Sequence, residues 1–388
     1  MGVKLQSALG GSVELTAPST ASTYTLAVPA GNGTVATTDQ LLGFRNRVIN
    51  GDFSINQRNK TSHTYVQGNT STYGVMLADA WKLSNQSPAS NSTVGTITST
   101  IEVYDNKNWA KTTITTPFNG TVVSGNGWTV RPGAYFGEDT CIQDLIGQQV
   151  TLSMLFRANN NGQYSVTFGY PTDNKFTIFS FNYTGSGNPQ RVSWTFTIPT
   201  DFFTGKSSYI GWSMYISYGV QAGDTRISNE TNLNGVFGGA QLTRSSDLRW
   251  WDTANNWIAF TEVQLEKGSI FSSYEKRPYA IELTLCQRYY EEVWCQWGTA
   301  IAATMNNHYN SYRVTKLKPP SLTVYADTVP YAKTGTVSNV RNTTANNNIA
   351  VNSVNGDSAS LNGFVIEYGS PASASNMRAT VIAESGVN

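Results

Sequence analysis

Charge is what this chain has least of. Only 13% of its 388 residues are Asp, Glu, Lys or Arg, about half the roughly 25% of an ordinary soluble domain. Lys and Arg number 26 and Asp and Glu 25, for a formal net charge of +1. A nucleic-acid binder carries a basic excess or a clustered basic patch. Neither is present, so no nucleic-acid partner is expected. The two histidines, His63 and His308, sit in polar stretches, and no motif assembles them into a Ser-His-Asp set. Three cysteines, Cys141, Cys286 and Cys295, are an odd number without a CxxC pair. That argues against a disulfide framework and a zinc knuckle, and Cys286 and Cys295 read as buried thiols. No apolar run approaches the ~18 residues of a membrane span, and MGVKLQSALGG lacks the apolar core of a cleaved signal. Folding in a reducing cytosol, without membrane insertion, fits these absences.

Hydroxyls, amides and aromatics take the place of charge. Thr, Val and the 12% aromatic residues favour strands, while the 34 glycines and many asparagines favour the turns between them. The fold class expected is all-β. Residues 1–42 alternate in short runs, SVEL, YTLAV and GTVATT, separated by Pro18 and Pro29. A piece this small needs other copies or a docking partner to bury a core. Residues 43–278 hold NRVINGDFSINQR, with Val48, Phe53 and Ile55 as core candidates around an Asn50-Gly51 turn. Strand-like runs follow at short spacing: GVMLADAWKLS, GTITSTIEVY, WAKTTIT, QQVTLSMLFRA, QYSVTFGY, KFTIFSFNY, QRVSWTFTIP, YIGWSMYIS and WIAFTEVQLE. Short alternating strands between turn signals indicate a sandwich or jelly roll.

Pro278 opens the one helix pattern, because Pro is favoured in a first helical turn. Ile281, Leu283, Leu285, Cys286, Tyr289, Tyr290 and Val293 cover about half of its circumference at 100° per residue. Glu291 and Glu292 are expected on its polar side. Residues 279–388 are therefore read as this helix followed by a second β domain built from TAIAATM, YRVTKL, SLTVYA, NNIAVNSV, GFVIEY and MRATVIAE.

Five motifs in order, INGDF (49–53), ADAW (78–81), TEVQLEKG (261–268), YEKRPY (274–279) and LCQRYYE (285–291), resemble a module of bacteriophage tail fibre proteins. Residues 11–40 resemble the leader found at the front of many phage fibre and tail proteins. The resemblance spans nearly the whole chain. It departs at ADAW, where the family often has a larger or more flexible residue before the Trp, and at RWWDTANNW. It implies a homotrimeric virion protein with an N-terminal β anchor at the tail, a central jelly-roll sandwich, a short helix and a C-terminal β-sandwich domain. The partners it implies are further copies of itself, phage tail or adaptor proteins through the N-terminus, and a host polysaccharide or lipopolysaccharide. A purely architectural adaptor or head fibre, and a tailspike glycan hydrolase, remain as alternatives.

The middle module also resembles carbohydrate-binding modules. Glycan binding uses flat aromatic faces for sugar C–H groups and amides for hydroxyls. Trp250, Trp251, Trp257, Tyr309 and Tyr312 are the candidates, although aromatics of an alternating β chain are ordinarily core or interface. Two consecutive tryptophans in a strand point to opposite faces, so both are buried only in a loop or an interface. Asp52 and Glu262, with Glu266, offer oxygen ligands for a structural calcium. Otherwise Asp52 makes an Asx turn and the glutamates face solvent on an edge strand. No other cofactor is expected. Ile281, Leu285 and Tyr289 are the trimer-interface candidates. Catalysis is not expected: the carboxylates Glu138-Asp139, Glu291-Glu292 and Asp252 lie in no motif that forces convergence. TGKSS (204–208) fails as a P-loop because Thr200 stands where its first Gly is required.

Overall fold

Alternation of apolar with hydroxyl-bearing side chains folds most of the described residues into strands, nearly all of them paired antiparallel. The computed structural model describes residues 3–6, 12–15, 44–59, 62–66, 75–86, 95–117, 127–132, 142–170, 175–202, 213–218, 227–228, 234–237, 243–244, 246–300, 305–316, 319–327, 329–342, 347–355, 360–369 and 375–384. They fall into two compact units, Met1–Leu41 and Leu42–Asn388. In the first, β1 (Val3–Gln6) pairs antiparallel with β2 (Ser12–Leu15), Val3 opposite Leu15. The expected YTLAV and GTVATT strands lie outside the described residues, as do Cys141, Glu138-Asp139 and the TGKSS stretch.

The second unit begins with two six-stranded antiparallel sheets. Strands are numbered in chain order. One sheet runs β11 (Lys175–Tyr183), β10 (Gly162–Tyr170), β13 (Ser213–Tyr218), β8 (Gly127–Pro132), β5 (Trp81–Gln86) and β4 (Val75–Ala78). The other runs β12 (Gln190–Thr197), β9 (Gln149–Ala158), β16 (Trp257–Lys267), β7 (Lys107–Thr116), β6 (Thr96–Tyr104) and β3 (Ser62–Val66). A two-residue parallel pair, β14 (Ile227–Ser228) with β15 (Thr243–Arg244), stands apart. Both large sheets feed one core, in which Trp81, Phe168 and Phe179 from the first meet Phe156, Phe196 and Phe260 from the second. The rings of Phe179 and Phe196 lie 4.9 Å apart, and those of Phe156 and Tyr164 also 4.9 Å. Such tilted contacts add roughly 0.5–1.5 kcal/mol each beyond area burial. The strand β16 is central, not at an edge. Its Val263 and Leu265 join the core, and Gln264 and Glu266 are also buried. The segment after Gly268 covers them: Glu266 accepts from the Ser272 N–H at 2.8 Å and the Ser272 hydroxyl at 2.6 Å.

The helix α1 spans Tyr279–Gln287 and stops short of the expected end at Val293. Tyr290 begins a strand, β17 (Tyr290–Ala300), because its Tyr, Val and Trp residues prefer a pleated surface. Glu291 and Glu292 are therefore buried in a sheet and not on a polar helix face. Lys316 answers Glu291 at 2.6 Å and Lys333 answers Glu292 at 2.7 Å. Beyond them come β18 (Met305–Ser311), β19 (Ser321–Tyr325), β20 (Asn339–Asn342), β21 (Asn347–Asn355), β22 (Gly363–Gly369) and β23 (Ser375–Glu384). The expected YRVTKL strand is a loop from Tyr312 to Lys316; the strand is the polar MNNHYNS before it.

These strands form one seven-stranded sheet around a second core of Val324, Val340, Ile366, Met377 and Val381. Trp297 of β17 and Tyr368 of β22 are four strand spacings apart along the sheet order, roughly 19 Å if it were flat. Their rings are 5.7 Å apart and the Trp297 indole N–H donates to the Tyr368 hydroxyl at 2.7 Å. The sheet therefore curls over, and its two halves enclose the core as a sandwich does.

The five sequence motifs meet at the joint between the two cores. Asn50 donates from its side chain to the carbonyls of Ile55 (2.9 Å) and Asp79 (2.7 Å), and accepts from the Ile55 N–H. The Trp81 indole donates to the Asn50 carbonyl at 2.8 Å. Glu282 accepts from the Asn50 N–H and pairs with Arg277 at 2.9 Å. Arg58 bridges Asp79 (2.8 Å) and Glu384 (2.7 Å), and its guanidinium lies 3.6 Å from the Tyr290 ring centre. Burial pushes the Asp79 carboxyl upward, and the Arg58 charge opposes it. These buried polar groups find partners in another motif or in the segments that flank the motifs, as such groups require in a low-dielectric interior.

Candidate functional site

The outer face of the second sheet carries a cluster that the core does not consume. Ala259 of β16 pairs with Arg157 of β9 on one side and Lys111 of β7 on the other. Its small side chain leaves a trough. Arg157 lies across it, 3.5 Å from the Tyr104 ring centre, 5.4 Å from Trp109 and 4.8 Å from Trp257. Lys111 stands 4.7 Å from Trp257 on the other flank. Glu102 sits between the two cations, 3.1 Å from Lys111 and 3.5 Å from Arg157. The cluster is thus charge-compensated and aromatic at once. Two buried donors of Arg157, Nε and Nη1, have no hydrogen-bond acceptor among the described residues. Nη1 faces Glu102 at 3.5 Å and both atoms are closed off from solvent, so Arg157 braces the rings of the cluster while Lys111 and Glu102 keep the more exposed polar ends.

Trp257 is half-buried at the start of β16, fixed where its backbone N–H donates to the Asn159 side chain at 2.8 Å. Trp250 and Trp251 are not surface residues. They turn inward as a short 3₁₀ segment, 2% and 8% exposed, and join the first core. Successive residues of a 3₁₀ turn are ~120° apart rather than opposed, so both rings reach the same core. Tyr312 is likewise buried, in the second core. Tyr309, 73% exposed, stands on the outside of β18 opposite Val365. On the inside of that strand His308 stacks on Trp297 at 4.2 Å, an arrangement the sequence did not signal. Of the five aromatic candidates, Trp257 and Tyr309 keep accessible faces.

Of the interface candidates, Ile281 is 41% exposed, Leu285 packs half-buried against the first core, and Tyr289 is buried within it. Asp52 and Glu262 do line one cleft, of about 130 Å³ and open to solvent. The set does not fit a calcium ion. Asp52 accepts from the Ser54 N–H at 3.3 Å, the expected Asx turn. Glu262 is already held by Lys107 at 2.6 Å and by Arg191, and Glu266 is committed to Ser272. No group of three or more acidic, His or Cys side chains among the described residues is arranged to hold a metal. A hard cation needs six to eight oxygens, and lysines stand in their place.

No protein-family model and no curated protein matches this chain. Solved structures similar to parts of it include a CBM4 module, at 15% identity over 57% of this chain and 99% of that one, TM-score 0.25. Another is discoidin II of Dictyostelium discoideum, at 7% identity over 84% and 93%, TM-score 0.18. A third is the R1 pyocin fibre of P. aeruginosa, at 11% identity over 78% and 87%, TM-score 0.16. Scores this low carry no argument about what the chain does.

Proposed function

We propose that this chain is a non-catalytic virion protein of a bacteriophage, a homotrimeric tail fibre or short tail appendage. Residues 1–42 attach it to the tail or an adaptor protein, and the distal modules adhere to host polysaccharide or lipopolysaccharide. The observation that carries the adhesive part is the Trp257 cluster: a half-buried indole braced by Arg157 and Lys111 on the outer face of the second sheet. Pyranose C–H faces stack on such rings, and the partly exposed Lys111 and Glu102 reach their hydroxyls. One such contact is weak, and three copies per fibre convert weak contacts into avidity. The acids Asp252, Glu291 and Glu292 are each committed to a cation, Arg249, Lys316 and Lys333 respectively, which speaks for binding over hydrolysis.

A second reading is a purely architectural role as an adaptor or head fibre. It is favoured by the burial of most residues of INGDF, ADAW, TEVQLEKG and LCQRYYE, which serve the scaffold and not a ligand. Negative-stain imaging of the purified protein is expected to show an elongated trimer. A compact monomer overturns the fibre reading, and a trimer that binds tail proteins through residues 1–42 but no glycan selects the architectural one.

A further inference from the structure

The cleft that holds Asp52 and Glu262 is left without a role by the outer-face cluster. Its walls come from the turn after Gly51, the β6–β7 turn, the middle of β16 and the segment after Ser273. Three of these depart from ordinary backbone. Phe53 and Glu262 have φ of 56° and 51°, and Asp105 and Asn106 at the hairpin tip have 50° and 57°. The register of β16 shifts between Thr261 and Gln264, so Glu262 sits on a bulge. Phe and Glu rarely adopt positive φ, and such strain collects where a site is shaped.

Glu262 is neutralised by Lys107 and Arg191, which makes it part of the wall. The groups left over are of a different kind. The Thr261 hydroxyl lines the cleft, fully buried and without a hydrogen-bond partner. The side chains of Asn106, Asn108 and Lys276 make no hydrogen bond or ion pair among the described residues, and Asp52 uses one oxygen on the Ser54 N–H. Burial, then the Asp52 charge, pushes the Tyr274 phenol well above its ordinary pKa, so it stays a donor. Unmatched donors and acceptors, one carboxylate and one lysine of opposite sign, and one aromatic ring face a shallow space of about 130 Å³, room for one ring and not for an oligomer.

We propose that this cleft is a second sugar subsite, one that holds a single neutral ring of the glycan. Asp52 accepts from two adjacent hydroxyls, Thr261 and the asparagines satisfy others, and Tyr274 offers an edge for the ring. The inference rests on the glycan-binding reading, but involves residues separate from Trp257. The charges that line the cleft, Asp52 and Glu262 against Lys107 and Lys276, balance, so a neutral ring is preferred to a uronic acid.

The test is ligand-observed NMR on the full chain with neutral hexoses, N-acetylhexosamines and uronic acids, beside binding of bacterial polysaccharide. The variants are Asp52→Asn, Thr261→Val, Lys276→Ala and Trp257→Ala. A neutral monosaccharide is expected to bind, to lose at least tenfold in Asp52→Asn and Thr261→Val, and to keep its affinity in Trp257→Ala. Asn still caps Ser54, so Asp52→Asn separates recognition from folding. Neutral-sugar binding unmoved by Asp52→Asn and Thr261→Val overturns the proposal. So does polysaccharide binding through Trp257 with no monosaccharide bound, and the glycan reading then stands. Uronic acid binding lost in Lys276→Ala overturns the neutral class. Failure of every sugar and polysaccharide overturns both.

Discussion

The Val263 backbone N–H donates to the Gly51 carbonyl at 3.0 Å, and a Cβ on Gly51 would collide with the Val263 carbonyl oxygen. Two segments far apart in the chain press backbone on backbone here, which only glycine allows. Gly51→Ala is expected to lower stability by about 1–3 kcal/mol, the cost of forcing extra volume into a packed site. A urea midpoint equal to that of the unaltered chain would show that the two segments part without cost.

Trp250 and Trp257 lie seven positions apart in one loop-and-strand segment but in opposite surroundings. Trp250→Ala opens a core cavity and is expected to cost about 3–5 kcal/mol. Trp257→Ala loses its cation contacts with Arg157 and Lys111, worth about 1 kcal/mol. Denaturant titration of the two variants ranks them; the reverse order contradicts the placement of the rings.

Lys316 and Glu291 are both fully buried and 2.6 Å apart, and Lys316 also donates to the Gln287 carbonyl at 2.6 Å. Lys316→Met leaves the buried Glu291 carboxylate with only the Arg313 backbone N–H (3.0 Å) and guanidinium (3.6 Å), at an expected cost of about 3 kcal/mol, the lower end for a broken buried pair. Adding Glu291→Leu is expected to restore part of that loss. A double-mutant cycle with no coupling contradicts the pairing.

His308 is stacked on Trp297, and burial lowers its pKa below 6.5. The folded state then binds fewer protons than the unfolded one between that lowered value and 6.5. Stability is therefore expected to fall as pH drops through this window. The chain has two histidines, so His308→Gln assigns the resonance. An NMR midpoint at or above 6.5 contradicts the burial.

Ile281 and Tyr279, 41% and 64% exposed, leave the first turn of α1 open. If α1 packs at a threefold axis, Ile281→Asp is expected to convert a trimer to monomers by light scattering, with unfolding of the monomer little changed. Leu285→Asp would also disturb the first core, against which Leu285 packs. A trimer that survives Ile281→Asp places the contact elsewhere.

Much of the fold was legible because strand periodicity is local. Nine runs between residues 75 and 267 were read from alternation, and each corresponds to strand in the structure. Where tertiary pairing decides, sequence failed. Glu291 and Glu292 look like a polar helix face until Lys316 and Lys333 are seen to bury them. Trp250 and Trp251 look like a surface platform until a 3₁₀ turn points both inward. The motifs were visible as text, but their shared task at the joint between two cores required distances. Trp257 and Asp52 were found by residue type; Arg157, Thr261 and the His308 stack were not, because nothing local marks an unmatched donor or a cross-sheet contact.

The central claim is adhesion to a surface glycan through the outer face of the second sheet. Interferometry of the full chain on immobilised bacterial polysaccharides and lipopolysaccharides tests it most directly, with Trp257→Ala in parallel. Saturable binding to at least one glycan is expected, reduced tenfold or more in Trp257→Ala, whose melting temperature shifts by only a few degrees. Binding to none, or binding indifferent to Trp257, would contradict the account.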